Sequence, residues 1–417
     1  MPRLSRRHFL ALGTAGLLLP RRVFADGAGE RKFLFVFCPG GWDQAVVFAP
    51  IFNDTTDHLD GDEPGTGGGF TFTDSPARPS VRAFFESWGP RTCLVDGYQV
   101  PSVAHDVCTR WTMTGTANDG TDDWASIVAG HTTVPRVMPN VHISGPIYPH
   151  AYVDASVRVG LASQLATLVD GTALLTSDQP VPYVPPDRDA LEEAFVRARL
   201  DAWTARAPSG MPARVGAAEQ LAMDRSTSLI DVADELRVTG QDLYSTASVA
   251  VRALARGLAR TGVVAFGSGG NGAWDTHSGN DYQGVLSENL FGALNRLLGD
   301  LASAPGESQP TLLDETTVVV LSEMGRTPQN NAAGGKDHWT WTSAMLIGSG
   351  VAGGTRVGRW TEQLTGEAID LSTGEPSASG VTMLPGHLGA TLLKLADVDP
   401  EEFIDPALGT TIDAVLA

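Results

Sequence analysis

The segment GGKDHW, residues 334–339, sets Asp337 and His338 behind two glycines and ahead of an apolar run. A carboxylate beside an imidazole at the mouth of a sheet can hold a divalent cation, and it is also an ordinary surface dipeptide. Four other stretches have the same character. GGWD ends in Asp43, AHDV carries His105, WDTH carries Asp275 and His277, and SEMGRTP carries Glu323 and Arg326. All five lie beside apolar segments that read as strands, which independent scatter would not produce.

The chemistry these types support is metal chemistry. Carboxylates and neutral imidazoles at about 2.0–2.2 Å suit zinc, whereas an all-oxygen set suits magnesium, calcium or manganese. One ion polarises an ester oxygen, and two ions about 3.5–4 Å apart also activate a nucleophile and neutralise a leaving group. Arg326 could clamp non-bridging oxygens with its planar fork. Each residue also has a plainer role. Asp43 could cap a turn after Gly-Gly, and Asp275 and His277 share a side only on extended backbone. Glu323 is costly to bury uncompensated, so it is either a ligand or the salt-bridge partner of Arg326. His105 could pack on Trp111 at a helix start. His387 begins a C-terminal helix, and His58, His131, His142 and His150 sit in polar loops or beside strands.

These residues need a scaffold that gathers them. KFLFVFC (32–38), TCLVDGY (92–98), TGVVAFG (261–267), TTVVVLS (316–322) and SAMLIGSG (343–350) read as buried strands. AHDVCTRWTMTG and GVLSENLFGALNRLLGDLAS read as helices between them. This alternation predicts a three-layer α/β/α fold with a mostly parallel central sheet, whose ligands lie beyond the carboxyl ends of the strands. Residues 187–260 form a helical block, opened by Asp187 as a cap candidate, that could insert into or cap the core. The acidic, glycine-rich stretch 53–74 reads as a surface loop or flap. GSGGNG (267–272) fits a dinucleotide fingerprint after a strand, but AWDTHSGN does not continue into a helix, so no helix N-terminus is offered to a pyrophosphate.

The first 25 residues pair Arg6 and Arg7 ahead of an apolar run and end at Val23-Phe24-Ala25. This is the pattern of a twin-arginine export leader cleaved after Ala25, giving a mature domain of residues 26–417 placed in the periplasm or outside the cell. The run is too short for a permanent membrane span, and no later stretch reaches the required length. The formal charge is −19, and the leader holds five arginines and no acid, so the mature chain carries 24 basic against 48 acidic residues. Such a surface repels nucleic acid and anionic membranes. Cys38, Cys93 and Cys108 permit one disulfide, and their spacing fits no zinc motif.

Taken in order, SRRHFL, FCPGGWD, AHDVCTRWTMTG, GAWDTH, LSEMGRTP and GGKDHW resemble the bacterial exported family called domain of unknown function 1501, a branch of the alkaline phosphatase and sulfatase superfamily. The resemblance implies an alkaline-phosphatase-like fold and a centre of one or two divalent ions. On it, Asp43 matches a first-strand ligand, Asp275 and His277 an Asp-His ligand pair, Glu323 a strand-end acid, and His338 a late ligand with Asp337 as neighbour or further ligand. Met324 stands where that pattern has a histidine. No Ser or Thr stands at the nucleophile position, which falls at or beside His105. Three options stay open: His105 accepts the phosphate or sulfate, or it supplies the imidazole missing at Met324 while water attacks, or the chemistry is lost. The expected function is an exported metal-dependent hydrolase of small-molecule or polysaccharide phosphate or sulfate esters, delivered by the twin-arginine machinery. The alternative is a non-catalytic binding or assembly protein that keeps the fold and one metal.

Overall fold

The computed structural model describes residues 29–161, 163–169, 184–206, 209–230, 232–267 and 274–417. The segment expected to be an export leader, residues 1–25, and most of GSGGNG lie outside them. The described strands are β1 (Lys32–Phe37), β2 (Glu63–Gly67), β3 (Phe70–Asp74), β4 (Thr92–Gln99), β5 (Asn140–His142), β6 (Ser156–Arg158), β7 (Thr261–Ala265), β8 (Thr316–Leu321), β9 (Gly325–Arg326), β10 (His338–Trp339), β11 (Trp341–Gly348) and β12 (Thr355–Val357). Eight of them form the central sheet in the order β12-β4-β11-β8-β1-β7-β5-β6. β1 pairs in parallel with β7 and β8, β5 with β6 and β7, and β12 with β4, whereas β11 runs antiparallel to both β4 and β8. Among the described residues β11 is thus the one strand that enters the sheet from the end where its neighbours leave.

β1 shows why the sheet has two covered faces. All six of its residues are buried, and the period-2 alternation sends Leu34 and Val36 to one face and Phe33, Phe35 and Phe37 to the other. The first face packs under the helices α1 (Pro79–Trp88), α7 (Leu243–Ala255) and α8 (Tyr282–Ser303). The second packs under α2 (His105–Thr114), α3 (Trp124–Gly130) and α9 (Pro385–Leu395). Between them in sequence lie α4 (Gln164–Val169), α5 (Pro186–Arg206) and α6 (Gly210–Ile230). The helical block foreseen over 187–260 therefore holds α5, α6 and α7. Pro186 takes the opening position of α5, so Asp187 sits within its first turn and not at the cap.

Two local features depart from the sequence reading. The stretch taken as a loop or flap contains the β2–β3 hairpin. Its turn residues Gly68 and Gly69 both have positive φ (56° and 89°), and a Cβ on Gly68 would lie 1.8 Å from the Phe85 carbonyl oxygen, so that position admits only glycine. Phe72 stacks on Phe85 at 4.5 Å and fastens the hairpin to α1. The second departure is a bulge where β4 meets β11: Thr342 pairs with Tyr98 and Ser343 with Asp96, leaving Gly97 unpaired. Gly97 has φ 68°, the left-handed geometry that such a bulge requires. Cys38, Cys93 and Cys108 are all free and buried, and burial pushes the Cys93 and Cys108 thiols up to about 12.

At the amino end of the sheet, Lys32 is buried against Glu315 at 2.6 Å and Glu307 at 3.1 Å. Burial works against the Glu315 charge, but the Glu307 and Ser308 N–H groups and the Lys32 ammonium outweigh it and hold the carboxyl at about 2. A depressed folded-state value adds stability above the unfolded carboxyl range, and that stability is lost as pH falls toward the folded value. Glu315→Gln should therefore cost about 2 kcal/mol at pH 7. Urea midpoints should show the wild-type advantage disappearing between pH 4.5 and about 2, and a pH-independent difference would refute the assignment.

Candidate metal centre

Beyond the carboxyl ends of β1, β4, β7 and β8 the backbone turns sharply, and the start of β10–β11 arrives from the same side. Gly40 and Gly41 follow β1 with φ of 113° and 86°. A Cβ on Gly40 would sit 2.5 Å from the Asp275 nitrogen, and one on Gly41 2.8 Å from Met324. The glycines thus let the first-strand loop lie directly on the loop carrying Asp275. The Gly40 N–H donates to Glu323 Oε1 at 2.6 Å, and the Ser322 hydroxyl donates to Oε2 at 3.3 Å. These donors partly offset the burial of Glu323 at the tip of β8.

His105 opens α2 and faces Glu323 Oε1 through Nδ1 at 2.9 Å. A carboxylate can only accept, so Nδ1 carries the proton and Nε2 is left to the site. That Nε2 is buried without a hydrogen-bond donor or acceptor of its own, and it lies 3.4 Å from Asp275 Oδ2. His338 repeats the arrangement, with Nδ1 donating to the Val103 carbonyl at 2.6 Å and Nε2 lying 3.2 Å from Asp275 Oδ1. His277 does so again, with Nδ1 donating to Asp337 Oδ1 at 3.0 Å and Nε2 lying 2.9 Å from His338 Nε2 and 3.2 Å from Asp275 Oδ1.

Three imidazoles are therefore each anchored through Nδ1 by an acceptor, and their Nε2 lone pairs turn toward one carboxylate. Lone pairs at such separations repel unless positive charge lies between them. The arrangement matches the outer partners that orient metal-binding histidines, which are carboxylates or backbone carbonyls on the far nitrogen. His105, Asp275 and His338 each place one donor atom within 4.8 Å of the others'. The same demand for positive charge acts on protons: the Glu323 hydrogen bond raises the His105 imidazole above its ordinary value, against the pull of burial.

Asp275 is aimed by Arg326. The guanidinium is fully buried; its Nη2 reaches Asp275 Oδ1 at 2.6 Å and the Trp274 carbonyl at 3.1 Å. Nε donates to the Gly41 carbonyl at 2.9 Å, Nη1 to the Lys336 carbonyl at 3.0 Å, and Nη2 also to the Gly40 carbonyl. Burial opposes the Asp275 charge, but Arg326 outweighs it and holds this carboxyl below its usual range. The clamp expected to grip substrate is instead turned into the backbone, where it ties the first-strand loop, the Asp275 loop and the Lys336 segment together.

Asp43 also stands apart from the expectation. Its Oδ1 caps the turn by accepting from the Ala45 N–H at 3.1 Å, and its Oδ2 takes the Lys336 ammonium and the Asn280 amide, both at 2.8 Å. Both oxygens are thus occupied within a buried polar network instead of joining the imidazoles. Asp337 is exposed at the rim, holding His277 while also accepting from Asn331 at 3.0 Å. The Asn331 amide, then His277, lowers the Asp337 carboxyl. Glu323 contacts His105 and not the other two imidazoles. Sequence reading did not single out Gln283, which is buried and donates to the Gly41 and Trp274 carbonyls at 3.2 and 2.7 Å while accepting from the Asp43 N–H at 3.0 Å. Neither did it single out Lys336, a lysine without solvent exposure. The signal for Lys336 was its place inside GGKDHW, between two loops that must bury their backbone.

Glu323→Gln tests the outer anchoring. The amide can still accept from Gly40 but no longer offers His105 Nδ1 a charged partner, and loss of such a partner costs about 10–100-fold in metal affinity. Zinc affinity measured against a chromophoric chelator should fall by that factor, with the circular dichroism spectrum unchanged. An unchanged affinity would mean that His105 takes no part.

Fold and site together define an α/β protein with an imidazole–carboxylate cluster at the strand ends of its sheet. The chain belongs to the family described as protein of unknown function (DUF1501), whose model matches residues 30–414. No curated protein matches it significantly. Solved structures similar to it include a protein in the alkaline phosphatase superfamily from Vibrio parahaemolyticus, at 11% identity and TM-score 0.41, covering 100% of this chain and 80% of that one. Another is the PsFucS1 sulfatase from Pseudoalteromonas sp., at 11% identity and TM-score 0.39, covering 100% and 77%. A third is the lipoteichoic acid synthase LtaP from Listeria monocytogenes, at 7% identity and TM-score 0.39, covering 97% and 81%.

Proposed function

We propose that the protein is an exported, metal-dependent hydrolase of phosphate or sulfate esters, of the alkaline phosphatase and sulfatase superfamily. The supporting observation is the convergence of the Nε2 atoms of His105, His277 and His338 on the carboxylate of Asp275. Three nitrogens and one oxygen suit a borderline cation, zinc first, better than magnesium or calcium. When bound, such an ion supplies Lewis-acid polarisation of an ester oxygen and lowers the pKa of water.

The chain's own residues do the rest. Glu323, Asp337 and the Val103 carbonyl fix the three imidazoles in one tautomer, and Arg326 fixes Asp275. His105 and His277 are the more exposed of the imidazoles, at 37% and 47% for their side chains against 19% for His338. They border the side from which an ester reaches the centre. With His105 Nε2 committed to the cluster, water is the attacking group, in preference to a covalent intermediate on His105. The leader of residues 1–25 directs the folded protein through the twin-arginine machinery to the periplasm or beyond, where small-molecule or polysaccharide esters are the substrates.

A panel of aryl phosphates, aryl phosphodiesters and aryl sulfates, offered to zinc-loaded mature protein, tests this reading. Turnover of at least one class is expected, abolished by chelator and restored by zinc. Bound zinc without any turnover would sink the hydrolase and favour the second reading, a non-catalytic binding or assembly protein. Met324 in place of a strand-end histidine, and the lack of a Ser or Thr at His105, are what favour that alternative.

A further inference from the structure

Resting on the metal reading above, we infer that the centre takes a single cation, and that the buried Lys336 ammonium is the permanent counter-charge of Asp43 in place of a second ion. Asp43 follows the first strand and is one of the acids expected to hold metal, yet its Oδ2 is 2.8 Å from Lys336 Nζ, and both side chains are at most 1% exposed. Lys336 is not a passing contact. Its Nζ also donates to the Asp57 carbonyl at 2.8 Å, its N–H to the Thr276 carbonyl at 3.0 Å, and its carbonyl accepts from Arg326 at 3.0 Å. The ammonium is thus held by the same framework that holds Asp275.

The distribution of charge leads to the same count. Asp43 is neutralised by Lys336, and Asp275 is paired with Arg326. Glu323 is buried with only neutral donors and His105 around it, and Asp337 adds one carboxylate at the rim. Two uncompensated negative charges balance one divalent ion. A second would add positive charge beside the fully buried Arg326 and Lys336 with no further anion to balance it, which is unfavourable. Removing one partner of a buried ion pair is similarly costly, so Asp43 does not release Lys336 to gain a cation.

The experiment is metal stoichiometry. Mature protein stripped with chelator, reloaded with excess zinc and freed of unbound ion by gel filtration is measured by elemental analysis and by calorimetric titration. One zinc per chain is expected for wild type, and one for Asp43→Asn with affinity within threefold. None is expected for the Asp275→Ala, His338→Ala double variant. Two zincs per wild-type chain overturn the inference while sparing the metal reading. So does loss of zinc from Asp43→Asn that keeps the wild-type circular dichroism and a cooperative melt. Zero zinc in wild type overturns the metal reading itself. Should Asp43→Asn fail to fold, the wild-type count decides alone.

Discussion

His338→Ala is expected to abolish zinc binding, with affinity reduced by more than the roughly 100-fold that loss of an outer partner costs. His338 Nε2 lies 3.2 Å from Asp275 Oδ1 and 2.9 Å from His277 Nε2, so alanine removes a donor atom from the middle of the cluster while the partners that orient the others stay in place. The backbone pairing of β10 with β9 does not involve this side chain, and the fold should survive. Zinc at 100 times its dissociation constant should stabilise the wild type by about 2.7 kcal/mol. The readout is therefore a zinc-dependent rise in thermal stability that wild type shows and the variant lacks. A variant that still gains stability from zinc would place the ion elsewhere.

Arg326→Met should be the most damaging single change near the site. It leaves the carbonyls of Gly40, Gly41, Trp274 and Lys336 and the carboxylate of Asp275 without their common donor. Stranding the partner of a buried charge costs about 3–5 kcal/mol. Lysine cannot reproduce a planar fork serving several acceptors, so Arg326→Lys should recover only part of the loss. Arg359→Met is the control, because its pair with Glu375 at 3.3 Å is exposed and contributes under about 1 kcal/mol. Urea midpoints on the three variants decide the matter. Equal effects of Arg326→Met and Arg359→Met would mean that Arg326 does not organise the strand-end loops.

The central sheet was legible because its strands are continuous apolar runs, from Lys32–Phe37 to Trp341–Gly348, and such runs fit only a sheet covered on both faces. The cluster was legible because acids and imidazoles recur beside those runs: Asp275, His277 and His338 converge, and His105 with them. Asp43 and Arg326 were misplaced for one reason. Their partners are Lys336 and four backbone carbonyls, and neither a distant lysine nor a carbonyl has a sequence signature. Asp337 and Glu323 were recognised as part of the site, but an acid that orients an imidazole reads like one that binds metal. The β2–β3 hairpin was hidden by its composition, since glycine and acid dominate EPGTG and only FTFT alternates. β5 and β6, of three residues each, are too short for any periodicity to emerge.

The unpaired Gly97 has a bearing on His338 that its position, one strand away, does not suggest. β11 is gripped on one side by β8 and on the other by β4, and the short β10 immediately before it carries His338. Removing the extra residue from β4 would slide one grip by a strand step of about 3.3 Å, whereas metal–ligand bonds tolerate about 0.2 Å. The bulge therefore works as a shim that sets how far the chain reaches before it joins the imidazole–carboxylate cluster. Insertions and deletions should be tolerated in the outer loops long before they are tolerated at this one spacer.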